Sequence, residues 1–234
     1  MPPGGVLFLA VPDGAVREMA ERVAALGAPR SLNVVHLSGA LGLAALDGLA
    51  PNPRGSFHPL QSFPMPRPPS AFRGITIAVD ATSTTLERRL RALARRLGAV
   101  PKHVGDRERI LYHAAAVFAS NFLDVVIGEG VQLLRRLGWS EAEATAALMP
   151  LVDGAVANIR ERGVVGALTG PIRRGDADTV SSHLSALGDP ELYRILGLVA
   201  LRIAKEAGLD PEAAERTRRA LTRNVAATRR RSGG

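Results

Sequence analysis

VLFLAVPDGAVREMAERVAALG, residues 6–27, sets the architecture of this chain. Six apolar residues in a row, Val6 to Val11, are too few for a helix and lack the alternation of a strand with one wet face. Such a run reads as a β-strand covered on both sides. Pro12-Asp13-Gly14 ends it with turn chemistry, and from Ala15 to Leu26 apolar residues return at helical spacing until Gly27 stops them. The alternation continues with NVVHL (33–37), halted by Ser38-Gly39, then GITIAVD (74–80), a helix from about Thr85 to Leu97 closed by Gly98, and AVPKHV (99–104). Apolar strands interleaved with helices predict an α/β fold with a mainly parallel sheet, and such sheets take ligands beyond the carboxyl ends of their strands.

After Gly105 the pattern is helical only. A long stretch from Asp106 to Leu137 is expected to bend at Gly128 and Gly130. Ser140 and Glu143 form a capping-box signature for the next helix, which Pro150 is expected to break or kink and which ends near Gly163. Asp176 caps a short helix through Leu187, Pro190 opens another that Gly208 closes, and Asp210-Pro211 starts the last. The domains expected are therefore 1–104, the sheet; 105–228, an all-α helical domain; and 229–234, a disordered basic tail containing Arg229, Arg230 and Arg231.

With 234 residues, 46% of them hydrophobic, the chain can build a sizeable core without metal or disulfide help. Cysteine is absent, which removes disulfide frameworks, thiolate zinc sites and cysteine nucleophiles. No uninterrupted apolar run approaches the roughly 20 residues of a membrane span, so a cytoplasmic protein without a membrane partner is expected. The net charge of +8 invites nucleic acid, but aromatic residues make up only 4% and are not interleaved with the basic ones, so no stacking platform forms and nucleic acid is not expected as a partner. His36, His58, His103, His113 and His183 are scattered without metal-ligand spacing, so no metal is expected. Ser38, in HLSGA, lacks the G-x-S-x-G elbow of a serine hydrolase.

Three segments carry the chemistry. RILYHAAAVFASNFL (109–123) has the look of a buried helix, yet at about 100° per residue His113, Val117, Ser120, Asn121 and Asp124 share one stripe, opposite Leu111, Ala115, Phe118, Ala119 and Phe122. That polar stripe needs hydrogen-bond partners, from the protein or from a ligand. GSFHPLQSFPMPRPPSAFRG (55–74) reads as a long proline-rich loop of the kind that is more often functional than not. TGPIRRGD (169–176) places glycines and adjacent arginines where backbone amides and guanidinium groups suit an anionic ligand.

The ordered set AVPDGAV, VVHLSGALG, GSFHPLQSF, YHAAAVFASN, LMPLV, ALTGPIRRGD and HLSAL, spread over about residues 6 to 205, resembles a bacterial family that joins a Rossmann-like domain to a helical domain of unknown function. That family sits among the ketopantoate reductase, pyrroline-5-carboxylate reductase and 6-phosphogluconate dehydrogenase-like enzymes. The resemblance implies an NAD(P)-dependent oxidoreductase, similar to a short alternative ketopantoate reductase that transfers hydride to a small 2-keto acid such as 2-dehydropantoate. It implies that Val11, Pro12 and Asp13 with His36, Ser38 and Gly39 lie beside the NADP or NAD cofactor. It places His58, Pro59 and Gln61 at a cleft, Ser120 on its substrate side, and Gly170, Arg174 and Asp176 closing it. His113 is the candidate proton donor and Asn121 the second catalytic candidate, with Arg174 expected to hold the substrate carboxylate. Helical second domains of this kind commonly pair two subunits, so a homodimer is expected, with LGLVALRIA (196–204) as a candidate interface.

A Rossmann domain opens with a strand, G-x-G-x-x-G and a helix that cradle the pyrophosphate. Here Met1-Pro2-Pro3-Gly4-Gly5 leads straight into VLFLAV, which matches the family's fourth strand. The expectation is a partial, N-terminally truncated Rossmann-like sheet. Either the sequence is a fragment or carries a misplaced start, or the chain has lost dinucleotide binding. A non-catalytic dimerisation or binding module is the alternative to the reductase.

Overall fold

The computed structural model describes residues 4–223. Five strands form one sheet in the order β1-β2-β3-β4-β5: Val6–Leu9, Asn33–His36, Arg54–Pro59, Thr76–Ala81 and Val100–His103. β1, β2 and β3 run parallel, β3 and β4 antiparallel, and β4 and β5 parallel again, so the sheet is mainly parallel as expected.

β3 departs from the sequence reading. Arg54–Pro59 is the middle strand, although glycine, serine and proline in RGSFHP read as part of a loop. A strand with neighbours on both sides is stabilised by its ladders and by burial rather than by propensity, and Gly55, Ser56 and Phe57 are all buried. The loop proper is therefore 60–75, with a short 3-10 turn at Pro69–Phe72.

Alternation of side chains along the strands sends neighbours to opposite faces. Val34 joins Val16, Ala20 and Val23 of helix α1 (Val16–Ala25), spaced for a single helical face. Val35, Phe57, Ile77 and Val79 join Leu86, Leu90 and Ala94 of α2 (Thr84–Arg96) on the other face. Ser83 caps α2 by accepting a hydrogen bond from the Leu86 amide at 3.3 Å. Each fully buried aliphatic side chain contributes about 1.5–3 kcal/mol, so these two clusters carry the sheet.

The helical region begins with α3 (Asp106–Ala119) and α4 (Asn121–Arg135). The bend expected at Gly128 and Gly130 lies instead at Ser120, whose φ of −124° and ψ of −79° interrupt the helix. The apolar side of the opening stretch is not buried: Leu111 is 77% and Phe118 70% exposed, and Arg109 is the buried residue of α3. Taken together, Asp106–Arg135 is long and apolar enough, by length and composition, to cross a membrane, with none of that window buried. Scanning for uninterrupted apolar runs missed it because polar residues interrupt the sequence without lowering its mean hydropathy below that of a span.

α5 (Glu141–Ala167) starts at the Ser140–Glu143 capping box, as expected, but runs through Pro150. Its break is Gly163, at φ 69° and ψ 172°. α6 (Gly170–Arg174), α7 (Ala177–Ala186), α8 (Glu191–Glu206) and α9 (Pro211–Thr222) follow, with Asp176 and Asp210 as the caps of α7 and α9. Val180, Leu184, Leu201, Ala214 and Leu221 form their core. The chain divides into two compact units at Glu129/Gly130, so α3 and the start of α4 belong with the sheet rather than with the remaining helices. The expected basic tail at 229–234 lies outside the described residues.

Candidate active site

Three consecutive strands carry polar residues in one row. His36 of β2 lies opposite Ser56 of β3, and Ser56 lies opposite Asp80 of β4, so the three side chains share a face. His58, two residues along β3, points to the same side. Onto this row comes Arg109 of α3, only 1% exposed, donating to Ser56 Oγ at 2.7 Å and to the Val104 carbonyl at 2.8 Å, with Asp80 at 4.0 Å. Burial lowers the Arg109 pKa and raises that of Asp80, and each partner's charge opposes the shift of the other. Arg109 is thus the pin between α3 and the sheet.

His36 is fully buried, and neither ring nitrogen has a partner of hydrogen-bond geometry. Burial first, and then the Arg109 charge, pull its pKa down to about 4, against the opposing pull of the Gly42 backbone, Asp13 and Asp106. His58 is likewise lowered to about 4, by burial and then by His113 and Arg109. Its Nδ1 lies 2.7 Å from the Tyr112 hydroxyl, whose own pKa burial raises to about 12. At neutral pH both partners are uncharged, and they share one hydrogen bond whose direction is set by the His58 tautomer.

Gly39 makes the close approach possible. A Cβ there would stand 2.7 Å from His58 Nε2 and 2.8 Å from His113 Nδ1, closer than any real side chain sits. The His113 Nδ1 is buried without a partner. Past the end of β3 a groove of about 470 Å³ opens between α3 and the start of the loop. His58, Gln61, Ser62, Tyr112, His113, Ser120 and Asn121 supply its polar lining, while Leu60, Val117 and several alanines supply its apolar part. His113, Val117, Ser120 and Asn121 of the expected stripe therefore line this groove, whereas Asp124 does not, and Ala115 and Ala119 from the side read as opposite line it too.

The structure brings together His58, Gln61, His113, Ser120 and Asn121 around the groove, with Gln61 and Asn121 exposed at its rim. It brings Asp13, Ser38 and Gly39 together at the ends of β1 and β2: the Ser38 hydroxyl donates to Asp13 Oδ2 at 2.8 Å and accepts from the Leu41 amide at 2.9 Å. Val11 and Pro12 form the turn that precedes Asp13. Gly170, Arg174 and Asp176 belong to the second unit. There Asp176 accepts from the Thr179 amide and hydroxyl as a helix cap, and Arg174, two-thirds exposed, lies 4.0 Å from it. Sequence reading missed Ser56, Asp80, Arg109 and Tyr112. The signal for the last two is their spacing from His113 and Ala116, which puts positions 109, 112, 113 and 116 on one helical stripe.

These residues fit one end of a nicotinamide dinucleotide. Asp13, Ser38 and Gly39 converge at strand ends, where a carboxylate, a hydroxyl and backbone amides suit a carboxamide, while the His58 and His113 imidazoles fill the space that a side chain at position 39 would take. The phosphates find no such match. The turn before α1 is Pro12-Asp13-Gly14-Ala15, whose carboxylate repels them, and among the described residues no strand leads into a glycine-rich helix start. No group of three or more potential metal ligands occurs among the described residues.

The fold has solved counterparts. A Bacteroides fragilis protein provisionally assigned as an NADP oxidoreductase is 26% identical, with a TM-score of 0.71, over 88% of this chain and 77% of its own. Protein TM1727 from Thermotoga maritima is 23% identical, with a TM-score of 0.74, over 88% of this chain and 79% of its own. A pyrroline-5-carboxylate reductase from Streptococcus pyogenes shares the fold at 13% identity and a TM-score of 0.51, over 93% of this chain and 74% of its own. No curated protein gives a significant match. A family model described as a domain of unknown function, DUF2520, matches residues 75–203, and with more than half of its residues in that match the chain belongs to this family.

Proposed function

We propose that the chain is an NAD(P)-dependent reductase of a small carbonyl compound, working as a homodimer in the cytoplasm. The observation that carries this reading is the junction of the strand-end turns at Asp13, Ser38 and Gly39 with the groove lined by His58, Tyr112 and His113. It is supported by the fold shared with the Bacteroides fragilis protein assigned as an NADP oxidoreductase. A bound nicotinamide supplies the hydride. The chain's own part is to hold the substrate and stabilise the negative charge that grows on its oxygen. His58 and His113 offer ring N–H donors for that oxygen, Tyr112 holds the His58 ring through their hydrogen bond, and Ser120 and Asn121 orient the rest of the molecule. Among the described residues no lysine or arginine lines the groove for the carboxylate of 2-dehydropantoate, so the substrate proposed is a small carbonyl compound.

The dimer is argued from apolar surface. α5 has Ala144 as its buried residue while Met149, Leu151 and Ile159 are exposed, and α8 exposes Ile195, Leu196, Leu198 and Val199. A helix apolar on its outer side needs a partner to cover it. A second copy brings the same helices, the self-complementary arrangement of a two-fold interface.

The test is titration of the full chain with NADPH and NADH, followed by nicotinamide fluorescence, together with NADPH consumption against a panel of small ketones. Saturable binding and turnover with at least one ketone are expected, with Gly39→Leu losing both. Absence of cofactor binding overturns the enzyme and leaves the second reading, a non-catalytic dimerisation or binding module. That reading is favoured by the Asp13 carboxylate in the turn before α1, which repels phosphate.

A further inference from the structure

The charge of the groove restricts what it can hold. Among the described residues lining it, none is acidic, lysine or arginine, and the only titratable ones are His58, Tyr112 and His113. His58 and Tyr112 are tied to each other at 2.7 Å, and their shifts, to about 4 and about 12, keep both neutral across the physiological range. Arg109, whose charge reaches His58, is sealed at 1% exposure, with its charge facing Asp80 and Asp106 and its hydrogen bonds directed to Ser56 and Val104. An anion drawn into this groove would lose hydration with no lysine or arginine to replace it, and a cation such as an iminium would find no carboxylate. Desolvating an unpaired ion costs several kcal/mol, whereas a carbonyl oxygen needs only hydrogen-bond donors.

We propose that the groove between α3 and the loop after β3 receives an uncharged carbonyl-bearing molecule, a ketone, ester or amide rather than a keto acid or an iminium, with its oxygen received by the His58 ring N–H that Tyr112 positions. This rests on the reductase reading for its chemistry but makes a binding claim that can be tested without turnover. Leu60, Val117, Ala115, Ala116 and Ala119 supply the apolar wall for an alkyl group, and the volume of about 470 Å³ suits a molecule of a few to a dozen heavy atoms. Tyr112 is a positioning residue: in this assignment its hydroxyl donates to His58 Nδ1, so that Nε2 carries the proton that meets the carbonyl oxygen.

The experiment titrates the full chain with ethyl pyruvate, with pyruvate and with the pyrroline iminium ion, following the histidine Cε1–H resonances by NMR. His103 and His183, outside the groove, act as internal controls. Ethyl pyruvate is expected to shift the His58 and His113 signals saturably, with a Kd at least tenfold below those of the two ions. Tyr112→Phe should raise that Kd at least threefold and move the His58 tautomer signature of its 15N shifts with the melting temperature retained. Ala116→Trp should abolish the shifts by filling the groove. Equal or tighter binding of either ion, shifts that survive Ala116→Trp, an unchanged Kd in Tyr112→Phe, or no saturable shift with any probe would overturn the assignment. NADPH binding is measured on the same samples: its failure with ester binding intact removes the reductase and keeps the groove, and the converse removes the groove alone.

Discussion

A fully buried imidazole with no hydrogen-bond partner is costly to charge, and His36 makes the cost measurable. Its folded pKa of about 4 lies below the ordinary 6.5, so between those values the unfolded chain binds the proton more tightly and stability rises with pH. The contribution is complete above pH 6.5 and is lost as the pH falls through about 4, a difference worth about 3 kcal/mol. Urea unfolding at pH 7.5 and pH 4.5 is expected to show this loss, and His36→Asn should flatten the profile, with the similarly lowered His58 supplying the remainder. A profile unchanged by the substitution would show that His36 is not the group responsible. At this scale the sequence was partly legible. His36, His58 and His113 stand out as polar residues in apolar surroundings. Arg109 and Tyr112 do not, because an arginine and a tyrosine near a helix start look like ordinary surface residues until Ser56 and His58 are known to lie beneath them.

Helix boundaries were legible where a local chemical device fixes them, at Ser140, Asp176 and Asp210, each of which caps the helix it was expected to open. They were not legible where neighbours decide. β3 is a strand because β2 and β4 flank it, and α5 absorbs Pro150 but breaks at Gly163. The backbone at Gly163, φ 69° and ψ 172°, lies in a region that only glycine occupies without strain. Gly163→Ala is therefore expected to cost about 1–3 kcal/mol if the break is kept, read as a fall in melting temperature. If the helix instead straightens, alanine's propensity gives a gain of about 1 kcal/mol. A melting temperature that falls ties the break to the stable form of the protein; one that rises shows that the helix prefers to run on.

For the molecule as a whole, the mainly parallel sheet followed by helices was readable from alternating apolar runs, because buried strands and amphipathic helices have different periods. The destination of the outward apolar side chains was not, since hydropathy is the same whether a helix is covered by its own chain, by a copy or by lipid. The dimer reading predicts that the full chain elutes at twice its 24.7 kDa mass in light scattering without detergent. Ile195→Glu together with Leu198→Glu should convert it to a monomer, while the far-ultraviolet spectrum keeps its helix content. A monomer for the unaltered chain at micromolar concentration, or its recovery with lipid vesicles, would remove the dimer. The row of His36, Ser56 and Asp80 beneath Arg109 has a last consequence, for assembly of the sheet. Sliding β3 by a single residue would turn Ser56 and His58 into the aliphatic layer under α2 and press Phe57 against a guanidinium group. Misaligned pairings are thus penalised twice over, and the hydrophilic row acts as a proofreading mark that only correctly matched strands can present to the incoming helix.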